Sequence, residues 1–103
     1  MCKLNDIKTK YNLSNISKEF EEIIKNNNNY KNLIKLDISS IINANNELQV
    51  DFVNYGLIPV FDAFDNDYIC YQINNNKWCM FNITDETVFK KDSFLQDLLN
   101  FKS

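Results

Sequence analysis

Apolar residues change their spacing along this chain, and each spacing predicts a different element. Leu4, Ile7 and Tyr11 recur at helical intervals, and Ile16, Phe20, Ile23 and Ile24 form a clearer i, i+4, i+7, i+8 stripe, so two helices are expected at the start. Asn15 or Ser17 is placed to cap the second, with Glu19, Glu21 and Glu22 near its positive end. The run Asn26-Asn27-Asn28-Asn29 should end it as an exposed loop, because asparagine favours turns and tolerates left-handed backbone. Leu33-Ile34-Lys35-Leu36 reads as a short strand or extended segment. Asp37 then caps a brief helix carrying Ile38, Ile41 and Ile42 and ending near Asn45-Asn46. Residues 50–55 fit a strand, through Val50 and Phe52, or a loop, and Gly56 turns the chain.

The apolar run Leu57-Ile58-Pro59-Val60-Phe61 predicts a strand, with Pro59 suited to an edge or a strand start because it has no N–H to donate. Two more strands, Tyr68 to Ile73 and Trp78 to Ile83, are joined through Asn74-Asn75-Asn76-Lys77, a composition suited to a tight hairpin. Placing Ile73 opposite Trp78 puts Ile69, Tyr71, Ile73, Trp78 and Met80 on one face, and Tyr68, Cys70, Gln72, Cys79, Phe81 and Ile83 on the other. In that register Cys79 opposes Gln72 and Cys70 opposes Phe81, so the sulfurs lie diagonally and no disulfide is expected. Asp92 or Ser93 can cap a last helix whose Phe94, Leu95, Leu98 and Leu99 form an apolar stripe, with Phe101 continuing it, and that helix should cover one sheet face. The fold class is therefore α+β: a single small domain over residues 1–103, with a mostly antiparallel or mixed sheet packed by N-terminal and C-terminal helices.

Composition narrows what such a domain does. Of 103 residues, 45% are hydrophobic and 14% aromatic, too many for a disordered chain despite the asparagines. The net charge of −3 leaves no cationic face to neutralise a phosphate backbone, so direct nucleic-acid binding is not expected, whereas a basic protein partner is suited. No apolar run approaches the roughly 18 residues of a membrane span, and Met1-Cys2-Lys3-Leu4 begins no signal peptide, so a cytoplasmic location without membrane association is expected. Cys2, Cys70 and Cys79 form no CxxC pair, which predicts reduced thiols and no zinc site.

Catalytic templates fail in turn. There is no His, so neither a Ser-His nor a Cys-His nucleophile pair can be built, and no GxxxxGK or GxGxxG loop is present. Asp62, Asp65 and Asp67 have something of the spacing of a calcium loop, but its sixth position holds Asp67 in place of glycine and its twelfth holds Ile73 in place of glutamate. No enzyme activity, cofactor or metal is expected. The acidic turn reads as a solvated or protein-contacting patch.

The order of these segments carries a resemblance. Leu57-Ile58-Pro59-Val60, an acidic turn ending at Asp67, Tyr68-Ile69-Cys70-Tyr71-Gln72-Ile73, a hairpin, Trp78-Cys79-Met80-Phe81, and Asp92-Ser93-Phe94-Leu95-Gln96-Asp97-Leu98-Leu99 together resemble the SUKH superfamily of Smi/Knr-type domains. That family has an "IPI" strand, a Gly- and Asp-rich turn, a "DYICLD" strand, a hairpin strand and a final "SFEEFL" helix. Leu13 to Asn29 takes the place of its early helix, and Leu36 to Leu48 that of the segment before the sheet. Phe64-Asp65-Asn66 stand where the family often has glycines.

The resemblance implies an α+β domain and, for stand-alone bacterial members, an immunity protein that binds and neutralises a cognate protein toxin, frequently a nuclease, without catalysis. Tyr55, Phe61, Asp62, Phe64, Asp65, Asp67 and Trp78 are the candidate contact residues, combining carboxylates with aromatic anchors. Phe61 and Trp78 compete with core roles, and Phe64 is the better exposed anchor. A regulatory scaffold using the same surfaces and a small-ligand binder built on the carboxylate turn are the alternatives. Oligomeric state stays open, because the sheet edge near Pro59 suits pairing while the proline discourages it.

Overall fold

Five short helices and five strands form an α+β domain in the computed structural model, which describes residues 4–13, 16–26 and 33–92 together with Leu95 and Leu98. Helices α1 (Leu4–Lys10) and α2 (Lys18–Lys25) precede strand β1 (Ile34–Lys35), helices α3 (Ile38–Ile42), α4 (Ala44–Leu48) and α5 (Phe52–Tyr55), and strands β2 (Leu57–Asp62), β3 (Asp67–Gln72), β4 (Lys77–Asn82) and β5 (Thr87–Asp92). The sheet is antiparallel throughout, in the order β1-β2-β3-β4-β5. Leu95 and Leu98 are helical and buried, while Asn15, the asparagines after Asn26, Ser93, Phe94, Leu99 and Phe101 lie outside the described residues.

Helix α2 starts where its sequence provides a cap. The Ser17 hydroxyl accepts the Phe20 N–H at 3.1 Å, so Ser17 rather than Asn15 begins the helix. The apolar stripe then buries Phe20, Ile23 and Ile24 against the sheet. Phe20 stacks on Tyr71, with ring centroids 4.4 Å apart, and lies 6.1 Å from Trp78. Lys35 closes the far end of α2, its ammonium donating to the carbonyl oxygens of Ile24 (2.9 Å) and Asn26. On the opposite face, α5 sets Phe52 edge-on to Phe81 at 5.7 Å. Helices on both faces explain why β2, β3 and β4 read as near-continuous apolar runs.

The β3–β4 register departs from the sequence expectation by two residues. Tyr71, not Ile73, opposes Trp78, and Cys70 directly opposes Cys79. Ile73 belongs to the four-residue turn, residues 73–76, which closes with Asn76 at φ +54°, while its N–H, on the β2 side of β3, donates to the Gly56 carbonyl at 2.9 Å. A shift of two preserves the face of every side chain, so Ile69, Tyr71, Trp78 and Met80 still share one face and Tyr68, Cys70, Cys79 and Phe81 the other. The cysteines are buried and not linked to each other.

Three further expectations are replaced or refined. Residues 52–55 form a helical turn instead of a strand or loop, capped by Asp51, whose carboxylate accepts the Asn54 N–H at 3.2 Å, and ended by Gly56 at φ +70°, a conformation costly for any residue with a Cβ. Pro59 sits inside β2, which has neighbours on both sides, at a point where the β1 side is open as at an edge. It is accommodated because β1 pairs only with Asp62 and Phe61 and the β2–β3 register shifts between Pro59 and Phe61, so no ladder bond asks for its missing N–H. Thr87–Asp92 adds a fifth strand that the sequence pattern did not show.

Burial holds the Cys70 thiol well above its usual range and pushes Cys79 up to about 11. Unfolded thiols titrate near about 8.5, so the unfolded chain gives up these protons first. The thiol contribution to stability is therefore whole below about pH 8.5 and is lost as pH rises towards the folded values, by about 1.4 kcal/mol per pH unit for each thiol. Urea midpoints should fall between pH 8.5 and 10, and Cys79→Ala should make the fall shallower. An identical slope in that variant removes Cys79 from the titration.

Candidate functional site

Antiparallel order brings the β2–β3 turn and the β4–β5 turn to the same end of the sheet, since both lie beyond the ends where Asp67 opposes Asn82 and Asn82 opposes Thr87. They are joined there. The Ile83 N–H donates to the Asn66 carbonyl at 2.9 Å, and Asn82 serves both turns with one side chain. Its Nδ2 donates to Asp67 Oδ1 at 2.8 Å, while its Oδ1 accepts the N–H groups of Thr84 and Asp85 at 3.0 Å each. Nothing in the sequence distinguishes Asn82 from the many other asparagines, and its role was missed.

The β2–β3 turn is built against backbone preference. Phe64, Asp65 and Asn66 follow one another at φ +70°, +56° and +67°. Asp and Asn tolerate this region, but an aromatic residue there is an outlier, and left-handed geometry costs about 1–2 kcal/mol per residue with a Cβ. The turn is held by the Asp62 carboxylate accepting the Phe64 N–H (2.8 Å), by Asp67 N–H to the Phe64 carbonyl (3.0 Å) and by Ala63 N–H to the Asp67 carbonyl (2.9 Å). Phe64 is 46% exposed at the tip while Ala63 beside it is buried. The three positions that the sequence fills with residues other than glycine are thus the three that glycine would occupy most easily.

The seven candidate residues separate into two groups. Phe61 and Trp78 are fully buried and are withdrawn as contact residues: Phe61 lies within β2, and the Trp78 indole N–H donates to Glu19 Oε1 at 2.8 Å beneath α2. An aromatic at an inward strand position serves the core first, because its area is worth most when fully covered. Tyr55, Phe64 and Asp65 are exposed, and Asp62 and Asp67 are half-buried at the turn they brace. Tyr55 joins the same end from α5, its hydroxyl donating to Glu86 Oε1 at 2.8 Å and its ring packing 5.6 Å from Phe81. That bond to a carboxylate raises the Tyr55 pKa.

This end is rich in carboxylates. Asp62, Asp65, Asp67, Asp85 and Glu86 belong to the two turns and their strand ends; Lys77 is the sole cation in the sequence from residue 36 to residue 89, and Lys90 and Lys91 follow further along β5. With a chain charge of −3, these five carboxylates leave the remaining residues at +2, so the molecule is polarised. Asp85 and Glu86 were not among the expected contact residues, since a Thr-Asp-Glu turn reads as ordinary solvated chain until the fold joins it to the β2–β3 turn at Asn66 and Asp67.

Among the described residues no group of three or more His, Cys, Asp or Glu side chains is arranged to hold a metal ion, and no helix is long and apolar enough to cross a membrane. No protein-family model matches the chain, and no curated protein or solved structure matches it significantly.

Phe64→Gly should raise the stability of the isolated domain by about 1 kcal/mol, because glycine adopts φ +70° without a Cβ clash. Urea denaturation against wild type measures it, and a lower midpoint in the variant would mean that the ring contributes more by packing than its backbone costs.

Proposed function

We propose that this protein is a non-catalytic binding module of the immunity type, which neutralises a cognate protein toxin by covering it. The observation that carries the reading is Phe64, a large apolar side chain held out to solvent on a strained turn among carboxylates. For the fold alone, a glycine at that position would be easier and a polar side chain more soluble. Strain of this kind persists where surrounding structure over-determines it, and it accumulates at functional sites. An aromatic anchor ringed by charges matches the anatomy of binding hot spots, where a central buried side chain supplies most of the energy and the charged rim steers encounter.

The order of segments from Leu57 to Leu98 supports the SUKH-like reading as a resemblance, and the acidic end suits a cationic partner such as a nuclease. Inhibition then takes the form of occupancy: the acidic end competes for the surface that the toxin uses on its own anionic substrate. Such a role requires no bond-making by this chain and places it in the compartment where the toxin acts.

Co-expression tests the proposal. The toxin encoded beside this protein should arrest growth when expressed alone and lose that effect when the wild-type domain is present, with a complex recoverable in about 0.15 M salt. Phe64→Ala should weaken the complex by about 2 kcal/mol or more, as truncation of a hot-spot aromatic does. Failure of the wild-type domain to restore growth or to form a complex contradicts the proposal.

A further inference from the structure

A second exposed aromatic stands at the acidic end, and its surroundings specify a partner group. Tyr55 is 45% exposed, although one side of its ring rests on Phe81. Its hydroxyl is spent on Glu86 Oε1, which fixes both side chains across α5 and the β4–β5 turn, residues that are 31 apart in the chain. A carboxylate offers about four acceptor positions, so one bond from a tyrosine leaves Glu86 with capacity for a further donor. Asp51, the cap of α5, adds a second negative charge close enough to act on the Tyr55 hydroxyl. Val88 opposes Phe81, the ring that Tyr55 packs on, across the β4–β5 ladder and is exposed on the same face. The nearest cations along the chain, Lys90 and Lys91, stand further along β5, opposite Met80 and Cys79, where Lys90 pairs with Asp92 at 3.6 Å, and Lys77 begins β4 at the opposite end of the sheet.

We infer that Tyr55 and Glu86, supported by Asp51 and Val88, receive an arginine side chain of a basic protein partner, its guanidinium lying over the outer side of the ring and donating to the Glu86 carboxylate. The ring accounts for the choice of cation. A planar guanidinium stacks on a tyrosine and donates through two N–H groups at once, whereas a lysine ammonium is a strongly hydrated point charge that gains less from the aromatic face. The bond between Tyr55 and Glu86 matters because it holds the acceptor at the edge of the ring in advance, so little side-chain freedom is lost on binding. This inference rests on the reading of the acidic end as a protein-binding surface and assigns one corner of it. Phe64 supplies the apolar anchor, and Tyr55 with Glu86 reads the charge.

The test titrates the folded domain with a short oligoarginine and with an oligolysine of equal length in about 0.15 M salt, following amide and aromatic shifts by NMR. The oligoarginine should bind about fivefold more tightly and shift Tyr55, Glu86 and Val88, a preference of the size that an exposed cation–π contact provides. Tyr55→Leu and Glu86→Gln should each erase the preference, while Glu47→Gln, an exposed carboxylate on α4, should leave it unchanged. Both substituted side chains are at the surface, and retained shift dispersion shows that the variants fold. Equal binding of the two peptides, still dependent on Asp65, overturns the arginine site while sparing the broader reading. A preference that survives both substitutions overturns it as well. Binding of neither peptide at this end removes both the arginine site and the acidic end as a docking surface.

Discussion

The contact of Phe20 with Tyr71 and Trp78 governs the rest of the molecule. Tyr71 and Trp78 face one another across the β3–β4 ladder, 5.4 Å apart and edge to face, and the Phe20 ring closes over them from α2. The polar atoms of this cluster are also spoken for. The Tyr71 hydroxyl donates to Asn76 and accepts the Ser17 N–H at 3.1 Å, and the Trp78 indole is met by Glu19, whose second oxygen accepts the Leu95 N–H at 3.2 Å. Sheet register, the start of α2 and the approach of the C-terminal segment are therefore set in one place. Sliding the hairpin by one residue would turn all of these groups to the wrong face, so the register is strongly specified.

A fixed register fixes the loops. With β3 and β4 locked, Asp67 and Asn82 are brought opposite each other, and the asparagine can brace two turns that would otherwise be independent. Strained backbone at Phe64 is sustainable because each of the bonds from Asp62, Asp67 and Ala63 opposes relaxation of the turn. A surface held in this way has little conformational entropy left to lose. The aromatic cluster holds the strands, the strands hold the turns, and this end of the sheet presents Phe64 on a turn and Tyr55 from α5 in a field of carboxylates.

Periodicity made some of this legible and hid the rest for physical reasons. The stripe from Ile16 to Ile24, the Ser17 cap and the apolar runs of β2, β3 and β4 could be read directly, since each element buries a face matching its own period. The two-residue register difference came from Ile73, which is apolar enough to extend the strand yet belongs to the four-residue turn that closes at Asn76, a left-handed position that three consecutive asparagines do not single out. β5 was missed because Thr-Val-Phe-Lys-Lys-Asp lies at the sheet edge with most of its side chains exposed, so it shows no alternation of apolar and polar positions. Of the candidate contact residues, Tyr55, Phe64 and Asp65, chosen by the rule that anchors and charges occur together, are exposed at one end of the sheet. Phe61 and Trp78 obeyed the same rule and failed it, because an aromatic's chemistry does not reveal which way its strand faces. Asp85, Glu86 and Asn82 became visible only when the turns were set side by side.

The central claim is that these two turns form one prebuilt surface instead of two loose loops, and the Ile83 amide reports on it most directly. Its N–H is bonded to Asn66 across the gap between them. Native-state hydrogen exchange of that amide should be slow, with an opening free energy close to that of the β3–β4 ladder amides. Exchange at the rate of an unstructured peptide, while the ladder stays protected, would show that the turns move independently and would contradict a preorganised acidic end.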